Sequence, residues 1–231
     1  MSPRRIIPEM NVILLVCFTA VACCRAADPS GGWLSYAKYT APHPTDIITR
    51  MKATMIVPPT PESANGSPAF WFGLQSDKGN AALVQPIMSK WLGDSFYMFQ
   101  EIFDWTDFQD KQSSPIKVEA GDVVVAEVEY VKDNNSYKMT MNSTGTTQSS
   151  TYTYQLLQQT TESTAYFVLE HQPDKCNELP KSGNVGWNDI EIDVNYTPVK
   201  HPLFVAAQEN PACGSKAIVE NGWVNITWKG E

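Results

Sequence analysis

The sequence predicts an all-β chain, an antiparallel β-sandwich or jelly roll built from two packed, bent sheets. Three observations predict it. No stretch of ten or more residues carries the 3.6-residue apolar period of a helix. Alternation of apolar and polar residues dominates instead. Turn residues interrupt that alternation at short intervals, as many short antiparallel strands require.

The strands follow from the alternation. Ile190, Ile192 and Val194 separate from Asp189, Glu191 and Asp193. Val124, Ala126, Val128 and Tyr130 alternate with Glu127 and Glu129. Both runs read as half-buried strands. Further strands are expected near residues 47–57, 69–75, 80–85, 95–104, 136–142, 150–157, 164–171 and 222–228. Between them, Pro58 to Pro68 and Asp107 to Pro115 read as loops, and Gly121-Asp122 and Ser143 to Gly145 as hairpin connections. His171 to Gly186 reads as a long irregular loop, a length often tied to function.

The first 26 residues read as a signal peptide. Arg4 and Arg5 precede an apolar stretch, Val12 to Ala22, too short to span a bilayer, and Ala22, Ala26 and Ala27 offer a cleavage site. Residues 27–231 are then expected to form one domain, secreted or held in an acidic endolysosomal lumen. Five Asn-x-Ser/Thr triplets, at Asn65, Asn134, Asn142, Asn195 and Asn225, are glycosylation candidates in that compartment. Cys176 and Cys213 outlast the leader, an even pair in an oxidising environment. A bridge between them would close a 38-residue loop, worth about 4 kcal/mol by chain entropy.

Charge narrows the partners. With 17 Lys and Arg against 25 Asp and Glu, the chain carries a formal charge of −8, and loss of the leader makes it more negative. Such a chain repels phosphate backbones and anionic membranes, so neither nucleic acid nor membrane is an expected partner after leader cleavage. His43, His171 and His201 fall at no metal-ligand spacing, no Gly-rich phosphate loop occurs, and no metal or cofactor is expected.

What remains is carboxylates and amides on strands. Along Thr164 to His171, Ala165, Phe167 and Leu169 share one face, and Tyr166, Val168 and Glu170 the other. A glutamate on a concave, partly apolar face has its pKa raised by desolvation, which suits acid/base work in acid. Gln85 ends the otherwise apolar run Ala81-Ala82-Leu83-Val84, where its amide needs a partner and can donate to a developing oxyanion.

These segments together resemble the glutamic peptidases of the G1 family, the eqolisins, secreted acid endopeptidases with a concanavalin-like β-sandwich. The likeness runs from about Trp33 to Trp228. It rests on Trp71-Phe72-Gly73-Leu74 followed by Leu83-Val84-Gln85, on the aromatic-rich run Phe96 to Phe103 with Glu101, on Ala120-Gly121-Asp122, and on Ala165-Tyr166-Phe167-Val168-Leu169-Glu170. Pro86-Ile87 stands where the family usually has Thr-Gly after its glutamine, and Gln75 where it has an acidic residue. The resemblance implies a Gln85/Glu170 catalytic dyad, a polypeptide substrate, no cofactor, and Trp71, Glu101 and Tyr166 as substrate-binding residues. A monomer is expected. Two other readings stay open: a secreted binding module on the same sandwich, and a glycosidase similar to family 16, through Asp189 to Asn195.

Overall fold

Alternation along each strand places one apolar row inward, and two such sheets meet in the middle. The computed structural model describes residues 32–60, 67–76, 82–92, 95–171, 179, 183–208, 213–220 and 222–229. Its strands in chain order are β1 (Trp33–Thr40), β2 (Ile48–Ile56), β3 (Pro68–Gln75), β4 (Leu83–Leu92), β5 (Ser95–Asp104), β6 (Gln109–Gln112), β7 (Ile116–Val118) and β8 (Val123–Val131). They continue as β9 (Ser136–Ser143), β10 (Ser149–Gln155), β11 (Thr164–His171), β12 (Asn184–Val194), β13 (Thr197–Pro198), β14 (Val205–Gln208), β15 (Lys216–Glu220) and β16 (Trp223–Thr227).

The strands form two antiparallel sheets of eight. One, called A, runs β14-β1-β11-β3-β4-β5-β6, with β7 also on β5. The other, B, runs β10-β9-β8-β2-β12-β16-β15, with β13 on β12. Phe70, Phe72 and Leu74 of β3 and Phe167 of β11 face inward from sheet A. Met51 and Met55 of β2, Met139 and Met141 of β9 and Trp187 of β12 meet them from sheet B. Phe167 and Trp187 pack edge to face at 5.6 Å across the join. The expected β-sandwich is the fold observed. Among the described residues, no helix is long and apolar enough to cross a membrane.

Several local expectations are revised. Gly121-Asp122 is not a hairpin. It joins β7 in sheet A to β8 in sheet B, with Gly121 at φ 92° and its N–H on Val57 O. Asp107 to Pro115 is not all loop, since it contains β6, paired to β5. β4 runs on through Pro86 to Leu92 rather than ending near residue 85. The face separation expected over Asp189 to Val194 holds, with Ile190, Ile192 and Val194 on the core and Asp189 and Glu191 exposed, but a bulge sets that run out of step with Trp187. Asp189 sits at φ 50°, and the register with β2 shifts between Asn188 and Glu191. Cys213 is buried and disulfide-bonded. Cys176 lies outside the described residues, as does Asn65.

One buried acid ties the sandwich together ahead of β11. Glu162 is 1% exposed. Its carboxyl accepts backbone N–H bonds from Ser76 and Ala82, at the two inner ends of the β3–β4 hairpin. Its own carbonyl accepts Ile48 N–H at 2.8 Å. Burial pushes its pKa well above 4.5. The neutral acid is therefore the form that folds cheaply, and its contribution is lost as pH rises above the unfolded value near 4.5. Its contribution to the melting temperature is expected to fall as pH rises above about 4.5. Glu162→Gln, which keeps the accepting oxygen, should flatten that slope in calorimetry. An unchanged slope would remove Glu162 from the account.

Candidate active site

Among the described residues, no third layer covers the outward face of sheet A, yet that face is apolar. Trp33, Tyr36, Trp71, Ile87, Phe99 and Val168 form a second buried cluster there. Period-two alternation puts them there, because each is one residue out of step with the inner core. Trp33 packs edge-on against Trp71 at 4.9 Å and Tyr166 at 5.3 Å. Polar groups stand in this apolar ground. They line a cleft of about 430 Å3 whose wall includes Gln85, Glu101, Gln112 and Glu170.

Register explains the company each keeps. Gln85 of β4 pairs with Glu101 of β5, and Glu101 with Gln112 of β6. All three side chains point to the same face. Gln85 Nε2 donates to Glu101 Oε1 at 2.7 Å, and Gln112 Nε2 donates to Glu101 Oε2. Gln85 Oε1 is buried with no hydrogen-bond partner. From β11, Glu170 follows Val168 and Tyr166 on the same face, and Trp71 Nε1 donates to its Oε2 at 2.9 Å.

The backbone beside Gln85 is unusually close. Trp71 pairs with Ile87 and Leu74 with Val84, which sets Gly73 across from Gln85. A Cβ on Gly73 would lie 2.4 Å from Val84 O and 3.2 Å from the Gln85 Cβ. Only glycine allows β3 that near. Pro86 follows, with no N–H to give. The β3–β4 pairing is interrupted at that level, so no ladder partner is left waiting for it.

The electrostatics single out Glu101. Burial raises its pKa from 4.5 to about 7, and the nearby Asp110 and Glu170 carboxylates add to the rise. The amides of Gln112 and Gln85 oppose it without cancelling it. Glu101 is therefore largely a neutral acid under acidic conditions. Among the described residues, no three His, Cys, Asp or Glu side chains are grouped so as to hold a metal ion.

Gln85, Glu170 and Glu101, singled out from sequence, share this one cleft. Trp71 and Tyr166 lie differently from their expected place as substrate contacts. They are 0% and 5% exposed and sit beneath the floor, Trp71 holding Glu170 and Tyr166 packing on Trp33 and Tyr36. Trp33 and Gln112 were not foreseen in the site. Gln112 lies in the stretch that reads as loop, because Gln109 to Gln112 is wholly polar and carries no apolar alternation. The glycosidase reading fails on geometry. Glu191 stands on the outer face of sheet B, bound to Arg50 at 2.7 Å and Lys52 at 3.3 Å, and the Arg50 bond holds its pKa low.

Residues 37–225 match the model of the peptidase A4 family. Among solved structures, scytalido-glutamic peptidase with a peptide-based transition-state analogue superposes with a TM-score of 0.62 at 16% identity. The match covers 85% of this chain and 98% of that one. SCP-B, a member of the eqolisin family of peptidases in complex with the tripeptide Ala-Ile-His, superposes at 0.60 with the same identity and coverage. At that identity the likeness speaks for the fold. No curated protein sequence matches the chain.

The close approach at Gly73 makes a prediction. Gly73→Ala should cost about 1–3 kcal/mol, the usual range for forced overpacking, in urea denaturation. Gly186→Ala is the control. Its Cβ would meet nothing closer than 3.6 Å, so stability should hold or rise slightly. Equal effects at the two positions would contradict the packing described.

Proposed function

The chain belongs to the peptidase A4 family, and on that premise we propose that it is a secreted acid endopeptidase working through Gln85 and Glu170. The observation that carries the reading is the cleft itself. It gathers one carboxylate held by an indole N–H and one amide held by a carboxyl on a single apolar, open surface. Glu170 takes a proton from a water molecule as that water attacks the scissile carbonyl. It then returns the proton to the leaving amide nitrogen as the C–N bond breaks. Gln85 donates its amide hydrogens to the tetrahedral oxyanion. Trp71 fixes the direction of the Glu170 carboxylate. Leu83, Ile87, Phe99 and Phe103 supply an apolar wall that favours a polypeptide with an apolar side chain beside the cleaved bond.

Glu101 sets the direction of Gln85. Against an ionised Glu101, the Gln85 NH2 is spent on the carboxylate and its oxygen is left buried and unpaired. A protonated Glu101 instead donates O–H to that oxygen, which satisfies it and releases the NH2 from the carboxylate. Activity is therefore expected below the Glu101 pKa of about 7 and lost as pH rises through it.

Secreted, folded protein should cleave a denatured protein substrate in acid. Glu170→Gln should abolish cleavage. Gln85→Ala should lower kcat about 100- to 1000-fold, the usual cost of an oxyanion donor. Trp71→Phe should lower it about 10- to 100-fold while the protein stays folded at a somewhat lower melting temperature, because the smaller ring leaves a void. No cleavage at any pH by folded protein would reject the catalytic reading and leave a binding module. The switch has its own check. Glu101→Gln donates to Gln85 at every pH, so its pH–rate profile should lack the loss of activity near pH 7. An unchanged profile would remove Glu101 from that role.

A further inference from the structure

Asn225 stands apart from the other described Asn-x-Ser/Thr sites. In Trp223-Val224-Asn225-Ile226-Thr227, alternation turns Trp223, Asn225 and Thr227 outward and Val224 and Ile226 into the core. Across the pair in β12 is Gly186, directly opposite Asn225. The Trp187–Met55 pairing sets Gly186 beside the 53% exposed Ile56 of β2. The missing side chain at 186 leaves a groove of about 420 Å3, whose lining includes Ile56, Gly186, Trp223, Asn184, Asn188 and Asn225. That size is within the roughly 300–1,000 Å3 of ordinary small-molecule sites. The groove lies on the outside of sheet B, away from the cleft on sheet A.

The other described sites lack this setting. Asn195 Nδ2 already donates to Asp46 Oδ1 at 2.8 Å, and its Oδ1 accepts Ile47 N–H at 3.2 Å. Asn134 Oδ1 accepts from Ser136 Oγ, the hydroxyl of its own triplet, on a fully buried residue. Asn142 is exposed on β9 with Thr140, not an aromatic, two residues before it.

We propose that Asn225 carries an N-linked glycan whose first N-acetylhexosamine seats in this groove against Trp223 and becomes part of the fold. The proposal rests on the secretory part of the reading above and not on its catalytic part. The donor is a lipid-pyrophosphate-linked oligosaccharide. Asn225 Nδ2 forms the bond to sugar C1 and gives up one proton. The bond from C1 to the pyrophosphate oxygen breaks, and the lipid pyrophosphate leaves with the electron pair. The C–H face of the pyranose then covers the half-buried indole of Trp223, removing apolar area from water. The Asn184 and Asn188 amides, exposed on the same face, meet the sugar's hydroxyl and acetamido groups.

The test uses the full chain secreted from eukaryotic cells. Glycopeptide mapping should find Asn225 occupied in most molecules. Asn225→Gln should lower the melting temperature by about 2–4 °C in the wild-type background. The same substitution should cost almost nothing in a Trp223→Thr background, which removes the indole that the sugar covers. Asn225 left bare while another triplet carries sugar would overturn the proposal alone. So would an equal penalty in the wild-type and Trp223→Thr backgrounds. Sugar at no site of the secreted chain would overturn it too, failure of the chain to reach the medium would overturn it together with the secretory reading, and the acid-proteolysis assay is scored independently.

Discussion

Sheet A has to keep both faces dry with only one partner sheet. Its inner face packs against sheet B, and its outer face packs against itself, through Trp33, Tyr36, Trp71, Tyr166 and Val168. Aromatic side chains do this well, because each covers a large area and edge-to-face contacts add to the gain. The rest of the site depends on that self-covering layer. A carboxylate placed on it is partly desolvated, and a hydrogen-bond donor beneath it, such as the Trp71 indole, acts at low dielectric. The polar groups gain chemical force from the apolar ground they stand on.

Within that layer, the amide and the two carboxyls are each positioned by a different device. Glu170 is held from below by an indole. Gln85 is held from the side by Glu101, and Glu101 by Gln112 on the next strand. The backbone around Gln85 is crowded by Gly73 and stiffened by Pro86, so its side chain starts from a fixed base. Pro86 departs from the pattern of the family the chain resembles. Its side chain sits on the opposite face from Gln85, where alternation puts it, and the interrupted β3–β4 pairing absorbs its missing N–H. Rigid first contacts on sheet strands, rather than on loops, are what exact donor placement needs.

The sandwich and the three polar residues of the cleft were legible because alternation reports faces. Glu170 falls out of step with Ala165, Phe167 and Leu169, and that alone puts it on the outer side of its sheet. Alternation says nothing about which strands are neighbours. The Gln112–Glu101 contact exists because β6 folds back on β5, a pairing that a four-residue polar strand does not announce. Trp33 was missed as a site residue for the same reason, since its place depends on β1 lying beside β11. Gly121-Asp122 has the composition of a hairpin and the structure of a corner between sheets, because turn residues report the bend and not its destination. The Asp189 bulge shows the complementary limit. One inserted residue sets Ile190, Ile192 and Val194 out of step with Val185 and Trp187, which the composition does not announce.

The placement of β1 governs when the cleft can come into being. β1 lies between β11 and β14, so the first described strand waits for partners from the far end of the chain. Even the bond from Trp71 to Glu170 joins residues 99 positions apart. Closing such long loops is slow, and folds dominated by them form in milliseconds to seconds rather than microseconds. A chain emerging from the ribosome in order exposes Gln85 long before Glu170 has been added to it. Gln85 and Glu170 can thus come together only after about three quarters of the polypeptide has been made. The order of synthesis itself keeps the growing chain from meeting a finished cleft of its own.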